Sequence, residues 1–126
     1  MRKIFTRTAE IKLISNNIIK ISLIKEIEME ENDVVENYLA CEKLTKGKKY
    51  SYIVNGNNFS SSAAAKAFAT RLKSSNGIIA EAFICSSFTN KLLGNFYIKL
   101  NKPTVPTKIF TKEINAIKWL RNLQKQ

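Results

Sequence analysis

The sequence predicts an α/β domain built on a mixed, mostly parallel sheet that opens with an antiparallel hairpin. Three observations carry that reading. Runs of alternating polarity fill much of the first 24 residues. Short, β-rich apolar runs recur after residue 49. Stretches with apolar residues at three- and four-residue steps separate them. The element order is β-β-α-β-α-β-α-β-α, and strands alternating with helices imply parallel strands joined by crossovers. At 126 residues the chain is expected to form a single domain, 1–126.

The first run, Thr6 to Ile14, sets Ala9, Ile11 and Leu13 on one face. Ser15-Asn16-Asn17 is a turn signal, because asparagine tolerates positive φ. In the second run, Ile18 to Ile24, Ile19, Ile21 and Leu23 share a face, with Ile18 and Ile24 opposite. Together they read as a hairpin. A helix is predicted from Asn32 to Thr45, with Val34, Val35, Tyr38, Leu39, Cys41 and Leu44 as its apolar stripe and Gly47 as its stop. Tyr50 to Val54 is short and uncharged, the pattern of a strand covered on both faces.

Asn55-Gly56-Asn57-Asn58 reads as a loop, after which Ser60, Ser61 or Ser62 caps a helix that turns Ala64, Ala65, Phe68, Ala69 and Leu72 inward. Ile78 to Cys85 is a further buried strand whose single charge is Glu81. Ser86 or Ser87 caps a third helix carrying Phe88, Leu92, Leu93 and Phe96. Pro103 and Pro106 bracket an extended stretch, and Thr107 to Phe110 forms the final strand. Thr111 caps the last helix, where Ile114, Ile117, Leu120 and Leu123 step by three beside Trp119.

Charge is unevenly spread around a net +11. Residues 1–25 hold six basic groups against one acid, a balance of +5; residues 26–45 hold seven acids against Lys43, a balance of −6. Residues 46–126 hold fourteen basic groups against Glu81 and Glu113, a balance of +12. The acids crowd the predicted start of the first helix and suit its positive end, while Lys43, Lys46, Lys48 and Lys49 gather at its finish. Helix physics leaves the later basic excess unexplained. It serves solubility, or contact with an acidic partner or polyanion.

Several chemistries are excluded outright. With no histidine, Ser-His-Asp and Cys-His catalysis, His-ligated zinc and histidine pH switching all fall away. The chain has no GxGxxG, and Gly47-Lys48-Lys49 lacks the rest of a phosphate-binding loop. Cys41 and Cys85 make no metal site alone and read as reduced structural thiols of a cytoplasmic protein. Glu81 is expected at a sheet edge or end, paired with a lysine. No catalytic residue, cofactor or metal is assigned, and the protein is expected not to be an enzyme. No apolar run is long enough for a transmembrane helix. Phe88, Phe96, Tyr97 and Trp119 fall in helical stripes and form no exposed aromatic platform on a sheet, so nucleic acid is not the expected partner.

Ser60-Ser61-Ser62, directly after a central strand, is the most informative polar feature. It reads as a helix cap, or as a phosphoacceptor or anion contact at the strand's carboxyl end.

Three stretches then resemble the C-terminal half of bacterial SpoIIAA-like domains. They are Lys91-Leu92-Leu93-Gly94-Asn95-Phe96-Tyr97, Asn101-Lys102-Pro103-Thr104-Val105-Pro106-Thr107-Lys108-Ile109-Phe110-Thr111, and Ala116-Ile117-Lys118-Trp119-Leu120. The likeness is to the STAS and CRAL-TRIO-like groups, in particular an uncharacterised Bacteroidetes-type group. The motifs span about a quarter of the chain and the element order nearly all of it. In STAS anti-sigma-factor antagonists a phosphorylated serine lies in Asp-Ser-Ser-Gly, and Ser60 to Ala63 hold that place here with only the middle two residues matching.

The resemblance implies a non-enzymatic regulatory module that docks a protein partner. The alternative it implies is a carrier or sensor of a small apolar or anionic ligand, with a crevice under the helix from Phe88 to Leu100. Electrostatic polyanion binding is a third reading, from charge alone. The residues expected at a partner or crevice surface are Asn55, Asn57, Phe88, Leu92 and Phe96, with Ser60, Ser61 and Ser62 as anion contacts. The hairpin's outer edge invites a second copy, Arg7, Lys12 and Lys20 partly guard it, and a monomer or weak dimer is expected.

Overall fold

A short strand precedes the expected hairpin in the computed structural model, which describes residues 2–15, 17–24, 28–55, 60–61, 77–84 and 105–124. This strand, β1 (Lys3–Phe5), pairs antiparallel with β2 (Ala9–Ser15), Ile4 opposite Ile11. Three residues are too few to display a period of two, so alternation could not announce it. The hairpin itself is present: β2 pairs with β3 (Ile18–Leu23) in the register Ile11↔Ile21 and Leu13↔Ile19. The outer edge therefore belongs to β1, and Lys12 and Lys20 face each other inside the sheet rather than guarding its rim.

The chain continues through β4 (Glu28–Met29), α1 (Glu31–Thr45), β5 (Tyr50–Asn55), β6 (Ser60–Ser61), β7 (Ile78–Ile84), β8 (Thr107–Phe110) and α2 (Glu113–Gln124). Six strands form one sheet in the order β1-β2-β3-β5-β7-β8, antiparallel through β3 and parallel beyond. This is the mixed sheet the sequence predicts. β4 and β6 form a separate parallel pair. The two helices expected on either side of β7 in sequence lie outside the described residues, as do Cys85 and most of the serine run's downstream neighbours.

Apolar clusters cover both faces. On one, Ala9, Ile11, Ile19 and Tyr50 meet Ala40, Cys41 and Leu44 of α1. On the other, Ile18, Ile53, Ala80, Ala82 and Phe110 meet Ala116 and Leu120 of α2. Ile11, Ile18, Ile19, Ile53 and Leu120 are fully buried, and each such side chain contributes about 1.5–3 kcal/mol. Lys20 reaches Glu113 at 2.8 Å, tying β3 to the first turn of α2.

The helix faces differ from their predicted stripes. Leu39 is 57% exposed, whereas Asp33 and Asn37 are buried in phase with Cys41 and Leu44. On α2, Ile114 is 60% exposed and Ala116 and Leu120 face inward. A strict three-residue step drifts by about 60° per step around a helix, so it cannot stay on one face. The helix also opens at Glu113, later than a Thr111 cap would place it. Gly47 does end α1: its N–H donates to Glu42 O at 3.1 Å, and both Lys46 and Gly47 take positive φ.

A β-bulge sets the polar interior. Tyr50 pairs with Ile78, but Tyr52 pairs with Glu81, so β7 carries one extra residue against β5. The extra residue flips the alternation that follows. Glu81 thus shares the face of Tyr52 and Thr107, while Ala80 and Ala82 join the α2 cluster.

Candidate functional site

Open α/β sheets collect their loops at the carboxyl ends of the parallel strands, where ligand crevices form. Here Ser22, Asn55, Ile84 and Phe110 stand side by side in register at that end. Ala9 lies opposite Leu23, so the turn Thr6-Arg7-Thr8 enters the same end.

This turn is stitched to the start of α1. Arg7 Nε donates to Asp33 Oδ1 at 2.7 Å, and its Nη2 donates to Asp33 Oδ2 and, at 2.9 Å, to the Glu28 carbonyl. The planar guanidinium matches the carboxylate with two parallel bonds, which a lysine cannot do. The Arg7 N–H donates to Glu36 Oε1 at 2.8 Å. Asn37 Nδ2 donates to Thr8 Oγ1 at 3.0 Å and Asn37 Oδ1 accepts from Thr6 Oγ1 at 2.5 Å. Asp33 Oδ2 also accepts from the Glu30 N–H at 2.9 Å, capping α1 from within.

The electrostatics follow from this geometry. The hydrogen-bonded Arg7 guanidinium holds the Asp33 carboxyl below the usual aspartate range, against the opposing push of burial. In return the same bond raises Arg7. Asp33 is 7% exposed and Arg7 53% exposed along the side chain, so the pair has one dry and one wet end.

Ser60 and Ser61 form β6, paired in register with Glu28 and Met29 of β4. Since the Glu28 carbonyl accepts from Arg7, one run of contacts joins the first turn, β4 and β6 at the carboxyl end. Asn55, half-buried, closes β5 between Ser22 and Ile84. The remaining expected site residues, Asn57, Ser62, Phe88, Leu92 and Phe96, lie outside the described residues.

A second polar group sits within the sheet. Glu81, 2% exposed, accepts from the Tyr52 hydroxyl, and its Oε1 lies 2.8 Å from Thr107 Oγ1. Thr107 Oγ1 is also 2.9 Å from Val105 O, and its one proton serves one acceptor at a time. The sequence expectation of a sheet edge or end is corrected here: β7 lies between β5 and β8, and Glu81 falls midway along it. Burial and the neighbouring Glu81 charge push the Tyr52 hydroxyl well above the usual tyrosine range. Burial likewise pushes the Cys41 thiol up to about 12, partly offset by its hydrogen bond with Tyr50. At neutral pH that thiol is protonated and a poor nucleophile. Among the described residues no group of three or more Cys, Asp, Glu or His side chains is placed to hold a metal ion. Nor is any helix among them long and apolar enough to cross a membrane.

A sequence profile described as a domain of unknown function (DUF7793) matches residues 12–124. The chain belongs to the DUF7793 family. The DUF7793 chain is also similar to a crystal structure of an uncharacterised DUF3478-family protein with a SpoIIAA-like fold from Shewanella loihica PV-4. The two share 13% identity at a TM-score of 0.64, over 89% of this chain and 91% of that one. At that identity the likeness establishes the fold, which is SpoIIAA-like as the resemblance implied. No curated protein matches the sequence.

Sequence reasoning missed the Arg7–Asp33–Asn37 network. The signal was present: Asp33 and Asn37 are one helical turn apart and in phase with Cys41 and Leu44, so polar groups were written onto an apolar stripe. Such residues need polar partners on the facing segment, and the turn Thr6-Arg7-Thr8 supplies them.

Proposed function

We propose that this SpoIIAA-like domain is a non-enzymatic regulatory module that docks a protein partner at the carboxyl end of its parallel strands. The observation that carries the reading is the β4–β6 pair, a ledge bearing Ser60–Ser61 and anchored through Glu28 to the Arg7–Asp33 ion pair. A strand pair beside the ends of the parallel strands holds main-chain groups in register, which suits recognition without chemistry. The net charge of +11 favours a partner with an acidic surface.

Affinity capture at physiological salt tests it. The wild-type chain should retain one specific protein, and Arg7→Ala, which frees the ledge, should lose it while keeping the circular dichroism of the fold. Capture of nothing specific, or of the same protein equally by both, overturns the reading.

A further inference from the structure

We propose that the β1 edge is a self-association surface that joins two copies of this chain into a two-fold dimer with one continuous sheet. Among the described residues β1 ends the sheet, and a groove of about 440 Å³ runs beside it against α1, lined by Ile4, Phe5, Glu36, Leu39, Ala40 and Lys43. Phe5 is 71% exposed there and Leu39 57%. The one charge on β1, Lys3, lies 3.1 Å from Glu10, which offsets its charge at the edge.

The edge is self-complementary. Arg2 O accepts from Leu13 N at 2.8 Å and Thr6 N donates to Ala9 O at 2.9 Å, so alternate residues Arg2, Ile4 and Thr6 direct main-chain groups to β2. Lys3 and Phe5 direct theirs outward. Two β1 strands running antiparallel about Ile4 set Lys3 of each copy against Phe5 of the other, and each pair exchanges both N–H···O=C bonds. Lys3 already holds its ammonium 5.7 Å from the Phe5 ring centre within one chain, and the pairing brings it to a second ring.

The helix obeys the same two-fold. The Thr6–Asn37 hydrogen bond sets α1 alongside β1, bringing Leu39 and Ala40 to the groove with Ile4. Glu36 and Lys43 stand at equal distances on either side of the Leu39–Ala40 midpoint, and both line the groove. A dyad perpendicular to the sheet keeps both α1 helices on one face, antiparallel, with Glu36 of one opposite Lys43 of the other. α1 packs mainly over β2, so with strands about 4.8 Å apart the two helix axes stand about 14 Å apart, a gap that the facing side chains reach across. Leu39 then fills the space between them.

Sedimentation equilibrium of the full chain from about 5 to 500 µM tests this, the small contact area placing it among micromolar associations. The wild type should pass from monomer to dimer. Phe5→Pro deletes an N–H that faces away from β2, and Leu39→Glu charges an exposed position; both should remain monomeric across the range with native circular dichroism. Lys43→Glu should weaken the dimer at least about tenfold, and adding Glu36→Lys should restore it. If Phe5→Pro unfolds, Leu39→Glu and the charge swap decide. A wild type that stays monomeric, a dimer indifferent to Leu39→Glu and the charge swap, or polymers growing past the dimer would overturn the proposal.

Discussion

Arg7 and Asp33, 26 positions apart in sequence, form a two-bond ion pair that closes the β1–β2 turn onto the first turn of α1. Asp33 is the buried partner, and it caps the helix through the Glu30 N–H as well. Its carboxyl is held below the usual aspartate range by Arg7. An aspartate with a folded pKa below its unfolded value of about 4 stabilises the fold above that pH, and the contribution fades as pH falls through the folded pKa. Thermal melts of wild type and Asp33→Asn from pH 7 to pH 2 check this. The variant should melt several degrees lower at pH 7, and the gap should close below about pH 4. A gap that stays constant with pH would remove the ion pair as its cause.

Tyr52 and Thr107 approach one buried carboxylate from opposite neighbouring strands, so their contributions are coupled. Tyr52→Phe and Thr107→Val each withdraw a hydroxyl from the Glu81 environment, and each should cost about 1–3 kcal/mol in urea unfolding. The double variant should depart from additivity by more than about 0.5 kcal/mol, because both changes act on the same acceptor. Strict additivity would mean that the hydroxyls do not share Glu81 in solution.

The sheet was legible because its determinants are local. Ala9 and Ile11 alternate with Thr8, Glu10 and Lys12, while β5 and β7 show as short apolar runs bounded by turn residues. Glu81 was misplaced because its surroundings depend on one extra residue in β7, and a bulge is a property of two strands in register rather than of either sequence. β1 escaped notice through its length. The polar network at α1 was legible in part: Asp33 was recognised as a helix-start acid, but its partner Arg7 lies across a turn that local periodicity does not describe. Ser60 and Ser61 were placed at the end of β5, and their pairing with Glu28 and Met29 is a long-range contact that no spacing announces.

Cys41 is expected to be inert in the native state. Burial pushes its thiol up to about 12, so at pH 8 only about one molecule in ten thousand carries the thiolate. In a Cys85→Ser background, where the signal comes from Cys41 alone, reaction with an aromatic disulfide reagent should run roughly a thousandfold slower than with free cysteine. Adding urea past the unfolding midpoint should restore the ordinary rate. Fast labelling of the native chain would place Cys41 at the surface, in conflict with its packing against Ala40, Leu44 and Tyr50.

The two faces of α2 separate stability from pattern. Ile114 and Leu120 both belong to the three-step series, yet Ile114 is 60% exposed and Leu120 fully buried. Leu120 packs with Ile18, Ile53, Ala80 and Ala82 from the sheet, and Leu120→Ala leaves a cavity that these residues cannot fill without moving. The expected cost is about 2–5 kcal/mol. Ile114→Lys removes a side chain from water rather than from the core, and its cost should stay within about 0.5 kcal/mol. Its position one residue after Glu113 leaves the ion pair of Glu113 with Lys20 in place. Paired urea titrations of the two variants measure the difference directly. Equal destabilisation would mean that α2 is rotated by about one residue, or 100°, from the orientation that buries Ala116 and Leu120.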